Sequence, residues 1–398
     1  VSGYLPAGQA AQIPNVLGAM SPGGDVLPDA ELVFSPTAAD FDVDAFVASA
    51  GGYLSRYDET LEDGTLLRGA AIVQKVADEN SINPRLLLAL LELRGGWVYG
   101  SPANADAEMY PIGFRIPDRT GLYQELSVAA TQLSRGYYGW RLGTTVETHP
   151  DDGGKIRWNP TLNAGSVAVL HLYALLSGTD RWMSRIVGSD GFIARYQDMF
   201  GDPWARAAAA GPLVTPDLEQ PLLELPITPG ERWSLTAGPH YAWSAGTPRG
   251  ALDFSPITDE EPCAVSARWV TASAPGFVVR AGDNAVALEI EVDGHESTGW
   301  VLVYYHLADD GLIAEGTLVE EGDALGHPSC EGGRSTGKHV HIARKYNGEW
   351  IAADGPVPFV LSGWRAVADE RNYYGSLVRG AEVVTSDSSG QRGSTIWR

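Results

Sequence analysis

The chain has 398 residues, with 50 Asp and Glu against 28 Lys and Arg, a formal charge of −22. Only four of the basic residues are Lys (Lys75, Lys155, Lys338 and Lys345). That balance argues against a nucleic-acid binder, which needs clustered cations, and a hydrophobic share of 44% argues against global disorder.

The length predicts two domains, or three. No apolar run nears the roughly 20 residues of a membrane span, so no span is expected; Leu86 to Leu91 is the nearest. Six of the eight His fall after residue 230, which points to the C-terminal part as the place for chemistry.

Residues 1–35 are rich in Gly, Pro and Ala and read as an extended N-terminal segment. Val1 to Leu17 has neither an initiator Met nor an apolar signal core. It reads as a mature N-terminus left by processing, or as an arbitrary cut. Helical patterning starts near Ala38, with Asp40, Asp42 and Asp44 in a first turn. Further helices are expected over 66–78, from Pro84 to a stop at Gly95-Gly96, and over 121–133, 162–176 and 192–200. Residues 36–210 thus form one expected all-α domain. Residues 211–232 hold five Pro (Pro212, Pro216, Pro221, Pro226 and Pro229) and read as a semi-rigid linker.

After the linker the pattern is strand and turn. Val278–Arg280, Ala285–Val292, Trp300–His306 and Val340–Ala343 are expected strands, with Asp293-Gly294 as a turn. Residues 233–362 read as an antiparallel β domain. Residues 363–398 read as a C-terminal extension, loose over Ser386 to Ser394. The two Cys, Cys263 and Cys330, are too few for a disulfide scaffold or a Cys zinc cluster. They form one bridge, implying an oxidising compartment, or they are two unrelated thiols.

His339-Val340-His341 places two imidazoles on one face of a strand, about 7 Å apart at the backbone. The Gly-rich run from Glu331 to Gly337 precedes them. It lacks the spacing and following helix of a phosphate cradle. Upstream stand His240, Asp253 and, at the end of an apolar strand, His306. Two His and one Asp make a three-ligand zinc site with an open position. The plain alternatives are a chance surface His pair, a loop His with a capping Asp, and a satisfied core His306.

Taken in order, these residues resemble the lysostaphin-type zinc metallopeptidases that cut peptidoglycan cross-bridges. That pattern is a His, an Asp, a Tyr-x-His-Leu strand and a Gly-rich loop ending in His-x-His. The long gap from His240 to Asp253 is similar to the beta-lytic and staphylolysin subgroup. So are Ser329-Cys330-Glu331-Gly332-Gly333 and Tyr346-Asn347-Gly348-Glu349-Trp350. The resemblance covers about a third of the chain. It implies one Zn2+ held by His240, Asp253 and His341, with His306 and His339 as the catalytic pair. It also implies a bridge from Cys263, expected on the first strand after Asp253, to Cys330, clamping the site from behind. The expected protein is a secreted or wall-associated bacterial endopeptidase, monomeric, acting on peptidoglycan bonds next to Gly or Ala. His295 and His327 fit no position and are assigned to the surface. Tyr241 and Tyr304 are assigned to packing.

Ile82 to Trp97 resembles the catalytic helix of lytic transglycosylases and goose-type lysozymes. Aligned on Gly96-Trp97, the acid position holds Arg94, which cannot donate a proton at neutral pH. Glu92 lies about 200° away on the helix. A lysozyme-like but non-catalytic domain, an unrelated helical domain and an active muramidase using Glu92 all remain open. Trp97, Tyr99, Tyr137, Tyr138 and Trp140 are either sugar platforms or core. Two competing expectations therefore stand beside the peptidase: a non-catalytic wall-binding or hydrolase-activator protein, and a bifunctional peptidase and muramidase.

Overall fold

The computed structural model describes residues 19–20, 24–390 and 392–398. The chain divides into two compact units, Val1–Leu213 and Val214–Arg398. The expected processed terminus, Val1 to Leu17, lies outside the described residues.

The first unit is helical. Its main helices are α1 (Val43–Ala50), α2 (Gly69–Asn80), α3 (Pro84–Gly95), α4 (Leu122–Arg141), α5 (Ala164–Val187), α6 (Phe192–Phe200) and α7 (Pro203–Ala210). The starts follow local chemistry. Asp42 caps α1 by accepting from the Ala45 amide, and Asn83 caps α3 ahead of Pro84. Gly51 and Gly96 end α1 and α3 in the left-handed region. Helices α4 and α5 meet at Gly136, where a Cβ would come within 2.6 Å of the Ala168 backbone. Within α5, Gly178 breaks the helical dihedrals. Two details differ from the sequence reading. Leu66–Arg68 is a strand paired with Asp58–Thr60 rather than the start of a helix. Within the segment expected to be extended, Asp29–Leu32 is a short helix, and Leu27 and Leu32 are buried.

The second unit is an antiparallel β structure. Its strands are β1 (Trp233–Tyr241), β2 (Arg249–Pro256), β3 (Gly276–Gly282), β4 (Ala285–Glu289), β5 (Trp300–Tyr305), β6 (Leu318–Val319), β7 (Val340–Tyr346) and β8 (Glu349–Trp350). They continue as β9 (Val360–Leu361), β10 (Trp364–Ala368), β11 (Gly375–Arg379), β12 (Glu382–Thr385) and β13 (Thr395–Ile396). The main sheet runs β6-β3-β4-β5-β7-β2-β1-β13, with β8 beside β7. A four-stranded sheet is formed by β9-β10-β11-β12. Asp283 and Asn284, both at positive φ, make the tight turn between β3 and β4.

Several boundaries move. Leu223, Leu225 and Ile227, inside the expected linker, belong to the core that also holds Phe254, Val286, Leu302 and Ile342. The alternation of those three apolar residues lets one face pack while the Pro residues hold the chain extended. The expected extension is likewise integrated. It supplies β10 to β12, and β13 pairs with β1 through Thr395–Ser234 and Ile396–Trp233. Cys263 lies in a turn beyond β2 rather than on a strand, and it is bonded to Cys330.

Candidate metal centre

Register brings the site together. Across β5 and β7, Tyr305 lies opposite His341; across β7 and β2, His341 lies opposite Asp253. Directly opposed residues of antiparallel strands share a face, so these three side chains leave the sheet on one side. His339, two residues before His341, follows by the period of the strand. Tyr304 points to the opposite face and is fully buried, its hydroxyl accepting from the Ser273 amide. The β1–β2 ladder shifts register on both sides of His240, and such bulges re-aim a side chain.

Three donor atoms converge. His240 Nε2 and His341 Nδ1 are 3.1 Å apart, and Asp253 Oδ1 lies 3.2 Å and 3.3 Å from them. A tetrahedral ion with bonds near 2.05 Å separates its ligand atoms by about 3.3 Å, so the triangle already has the required size. The outer hydrogen bonds fix which ring nitrogens carry protons. His240 Nδ1 donates to the Gly238 carbonyl and His341 Nε2 donates to the Ala242 carbonyl. The inward nitrogens therefore present lone pairs. Asp253 Oδ1 is buried and accepts no hydrogen bond. Two lone pairs and an unsatisfied carboxylate oxygen facing one point repel each other unless a cation sits among them. The donor set, two imidazoles and one carboxylate, fits zinc. Burial opposes the Asp253 charge, whereas positive charge on His240 and His339 holds its carboxyl well below the usual range.

His306 and His339 flank this triangle, with ring centroids 4.4 Å apart. Each donates from Nδ1 to a carbonyl, His306 to Glu331 and His339 to Gly337. Each therefore keeps a lone pair on Nε2, and that of His339 lies 3.7 Å from Asp253 Oδ2. Burial, with His339 beside it, pushes His306 down to about 4, so it is neutral at pH 7. His306 also has φ +65°, an uncommon conformation for a residue with a Cβ. It is held there by bonds on both sides. The Leu307 amide donates to Asn284, and the Ser329 amide donates to the His306 carbonyl.

The loop carrying His339 is tied to the 260–266 segment. Beside the Cys263–Cys330 bond, the Lys338 amide donates to Pro262, and Lys338 Nζ reaches the Glu261 carbonyl and the Glu260 carboxylate. The expected clamp is thus made of one covalent bond and three polar contacts.

Two aromatic residues of the site escaped the sequence reading. The Tyr373 ring stacks on His240 at 4.6 Å and 22°, and its carbonyl accepts from the Gly238 amide. Burial and then the Asp253 charge raise its phenol. Trp243, next to the carbonyl that holds His341, packs on Tyr305 at 4.8 Å. Only the pair Tyr373-Tyr374 before Gly375 marked the first, and nothing local marked the second. His295 and His327 stand elsewhere: the His295 amide bonds Asp293, and His327 bonds the Arg268 carbonyl against Trp269.

In the helical unit, Glu92 Oε2 accepts from the Val98 and Tyr99 amides. Arg94 donates from Nε to the Ile112 carbonyl. Trp97, Tyr137 and Tyr138 are buried and belong to the core, Trp140 donates to Leu162, and Tyr99 is 47% exposed.

Residues 25–213 match the family profile described as LasA, N-terminal domain, and residues 263–353 match that of peptidase family M23. Among curated proteins, Protease LasA of Pseudomonas aeruginosa PAO1 is 28% identical over 69% of this chain. The match spans 65% of that relative's length. Beta-lytic metalloendopeptidase of Lysobacter enzymogenes is 28% identical over 38% of this chain and 83% of its own. Among solved structures, the M23 metalloprotease pseudoalterin aligns with 45% of this chain and 99% of its own, at 23% identity and a TM-score of 0.36. The chain therefore carries a peptidase family M23 domain in its C-terminal part, preceded by a domain of the LasA N-terminal family.

Proposed function

We propose that the protein is a zinc metalloendopeptidase that hydrolyses peptide bonds in bacterial peptidoglycan cross-links, next to Gly or Ala. The observation that carries this reading is the triangle of His240 Nε2, Asp253 Oδ1 and His341 Nδ1, sized for a tetrahedral ion and lacking any other partner. The names of the relatives agree with it, one a protease and another a metalloendopeptidase.

His240, Asp253 and His341 would hold the zinc, which when bound supplies Lewis acidity toward a peptide carbonyl and toward water. The remaining chemistry belongs to this chain. His306 and His339 offer two Nε2 lone pairs on one side of the triangle, so either can take a proton from an attacking water. An imidazole that has gained that proton becomes a donor. It can then stabilise the oxyanion and return the proton to the leaving amine. Asp253 Oδ2 lies 3.7 Å from His339 Nε2, where it faces that nitrogen when the proton arrives.

The substrate implies a secreted or wall-associated enzyme. No helix among the described residues is long and apolar enough to cross a membrane. The test is digestion of purified cell walls of differing cross-bridge, with and without a zinc chelator, read by mass spectrometry of the released fragments. New amino termini at Gly or Ala that vanish on chelation and return with zinc are expected. Release that is indifferent to chelation, or no release from any wall, overturns the reading.

A further inference from the structure

The site has an aromatic border on the His341 side that the mechanism does not use. Tyr305 shares the sheet face of His341, with ring centroids 6.4 Å apart in an edge-on arrangement. Trp243 packs on Tyr305 at 4.8 Å, and Trp350 lies parallel to Trp243 at 6.4 Å and 5°. Trp350 is buried, whereas Trp243 and Tyr305 are half-buried.

This border is closely packed from behind. Gly332 lies against the Tyr305 ring so closely that a Cβ would come within 2.9 Å of Cε2, and one on Gly333 would come within 3.3 Å of the hydroxyl. The His306 ring closes another side at 4.4 Å. Trp243 sits on a short hairpin that is bonded to itself. The Ala242 amide donates to Pro248, the Thr247 amide to Ser244, and the Trp243 amide to Thr247 Oγ1. The same hairpin holds His341 through the Ala242 carbonyl, so moving it would also disturb the metal triangle.

We propose that Trp243 and Tyr305 form a rigid wall that sets the side-chain size accepted beside His341, admitting glycine or alanine and excluding longer side chains. The proposal rests on the peptidase reading and assigns its specificity to residues of this chain. An aromatic surface backed by close packing offers a backbone CH2 or a methyl group van der Waals contact. A branched or aromatic side chain meets that surface before its backbone can reach the centre. Rejection by overlap of this kind discriminates by roughly 10–200-fold per step in size.

The test uses the full chain with zinc and the peptides Gly-Gly-X-Gly-Gly, where X is Gly, Ala, Val, Leu or Phe. Cleavage positions are read by mass spectrometry and kcat/KM is measured for each. In the wild type, X of Val size or larger is rejected on one side of the scissile bond. In Trp243→Ala the ratio of kcat/KM for Val, Leu or Phe to that for Gly rises at least about tenfold on that same side. Trp243→Phe, which keeps a ring, retains most of the preference. Trp243→Leu gives the same reading should the alanine variant lose zinc or melt early. Unchanged ratios in zinc-loaded Trp243→Ala or Trp243→Leu overturn the wall while leaving the peptidase intact. A wild type that cuts none of the peptides and no wall overturns the peptidase reading itself.

Discussion

Asp253 and His341 are direct cross-strand partners, and their facing atoms, Oδ1 and Nδ1, lie 3.3 Å apart without a hydrogen bond to satisfy the carboxylate. A buried ionised oxygen in that state destabilises the fold until a cation joins it. Asp253→Asn should therefore lower zinc affinity by more than about 100-fold, beyond what loss of an outer-shell partner costs. It should also remove the fall in melting temperature that chelation causes in the wild type. Zinc content by elemental analysis and melting with and without chelator check both. Stoichiometric zinc in Asp253→Asn would count against the ligand set.

In the proposed mechanism His306 moves a proton and does not bind metal, so its loss should separate the two functions. Its φ of +65° makes the choice of variant matter. Asn tolerates that region better than other non-glycine residues, so His306→Asn is preferred to His306→Ala. We expect full zinc occupancy, an unchanged melting temperature and a fall in kcat of about 10²–10⁴-fold. Activity within a few-fold of wild type would assign the proton transfer to His339 alone.

The parts of this site that are legible in the sequence are those fixed by local periodicity. His339 and His341 share a face because strands repeat every two residues, and His240, Asp253 and His306 follow in the order of a known pattern. Tyr373 is not legible in this way. It reaches His240 from the loop between β10 and β11, in a separate sheet, and no spacing encodes that return. The connection between the units is hard to read for a different reason. Five Pro residues dominate 211–232, yet Leu223, Leu225 and Ile227 alternate as a core-facing strand would. Pro forbids helix, not burial. The helices were clearer because their caps are local: Asn83 with Pro84 at one end of α3, Gly96 at the other.

The Cys263–Cys330 bond closes a separation of 67 residues, for which chain entropy gives a stabilisation of up to about 4 kcal/mol. Lys338 still ties the same two segments through Glu260, Glu261 and Pro262 once the bond is cut. Cys263→Ser with Cys330→Ser should thus melt several degrees lower. At temperatures well below that melt it should keep most of its peptidase activity. Calorimetry and peptide turnover at 15 °C and 45 °C check this. Complete inactivity at 15 °C in a folded, zinc-loaded double variant would mean that the covalent bond itself positions His339.

His171 in the helical unit makes stability depend on pH. Burial pushes it down to about 4, below the 6.5 of an exposed imidazole; its Nδ1 meets Thr148 Oγ1 at 2.6 Å. The unfolded chain therefore binds this proton at a higher pH than the folded one. The stabilisation is complete above pH 6.5 and is lost as pH falls toward 4, amounting to about 3 kcal/mol. His171→Asn should lose stability at pH 7.5 yet show a shallower decline between pH 6.5 and 4. Denaturant melts of both proteins across that range decide it; parallel curves would place the acid sensitivity in other groups.

Glu92 decides whether the helical unit cuts glycan. One of its carboxylate oxygens is occupied in accepting from two backbone amides, of Val98 and Tyr99. A general acid for glycoside cleavage must instead be kept protonated in an apolar setting. Arg94, at the aligned acid position, is committed to the Ile112 carbonyl and has no proton to give at neutral pH. We therefore expect chelation to abolish all release of soluble wall fragments, with no new reducing ends or anhydro sugars. Glu92→Gln should keep peptidase turnover while lowering stability by about 1–3 kcal/mol, because neutral amide oxygens accept these bonds more weakly than a carboxylate. Sugar release that survives chelation and disappears in Glu92→Gln would instead give the chain a second active site.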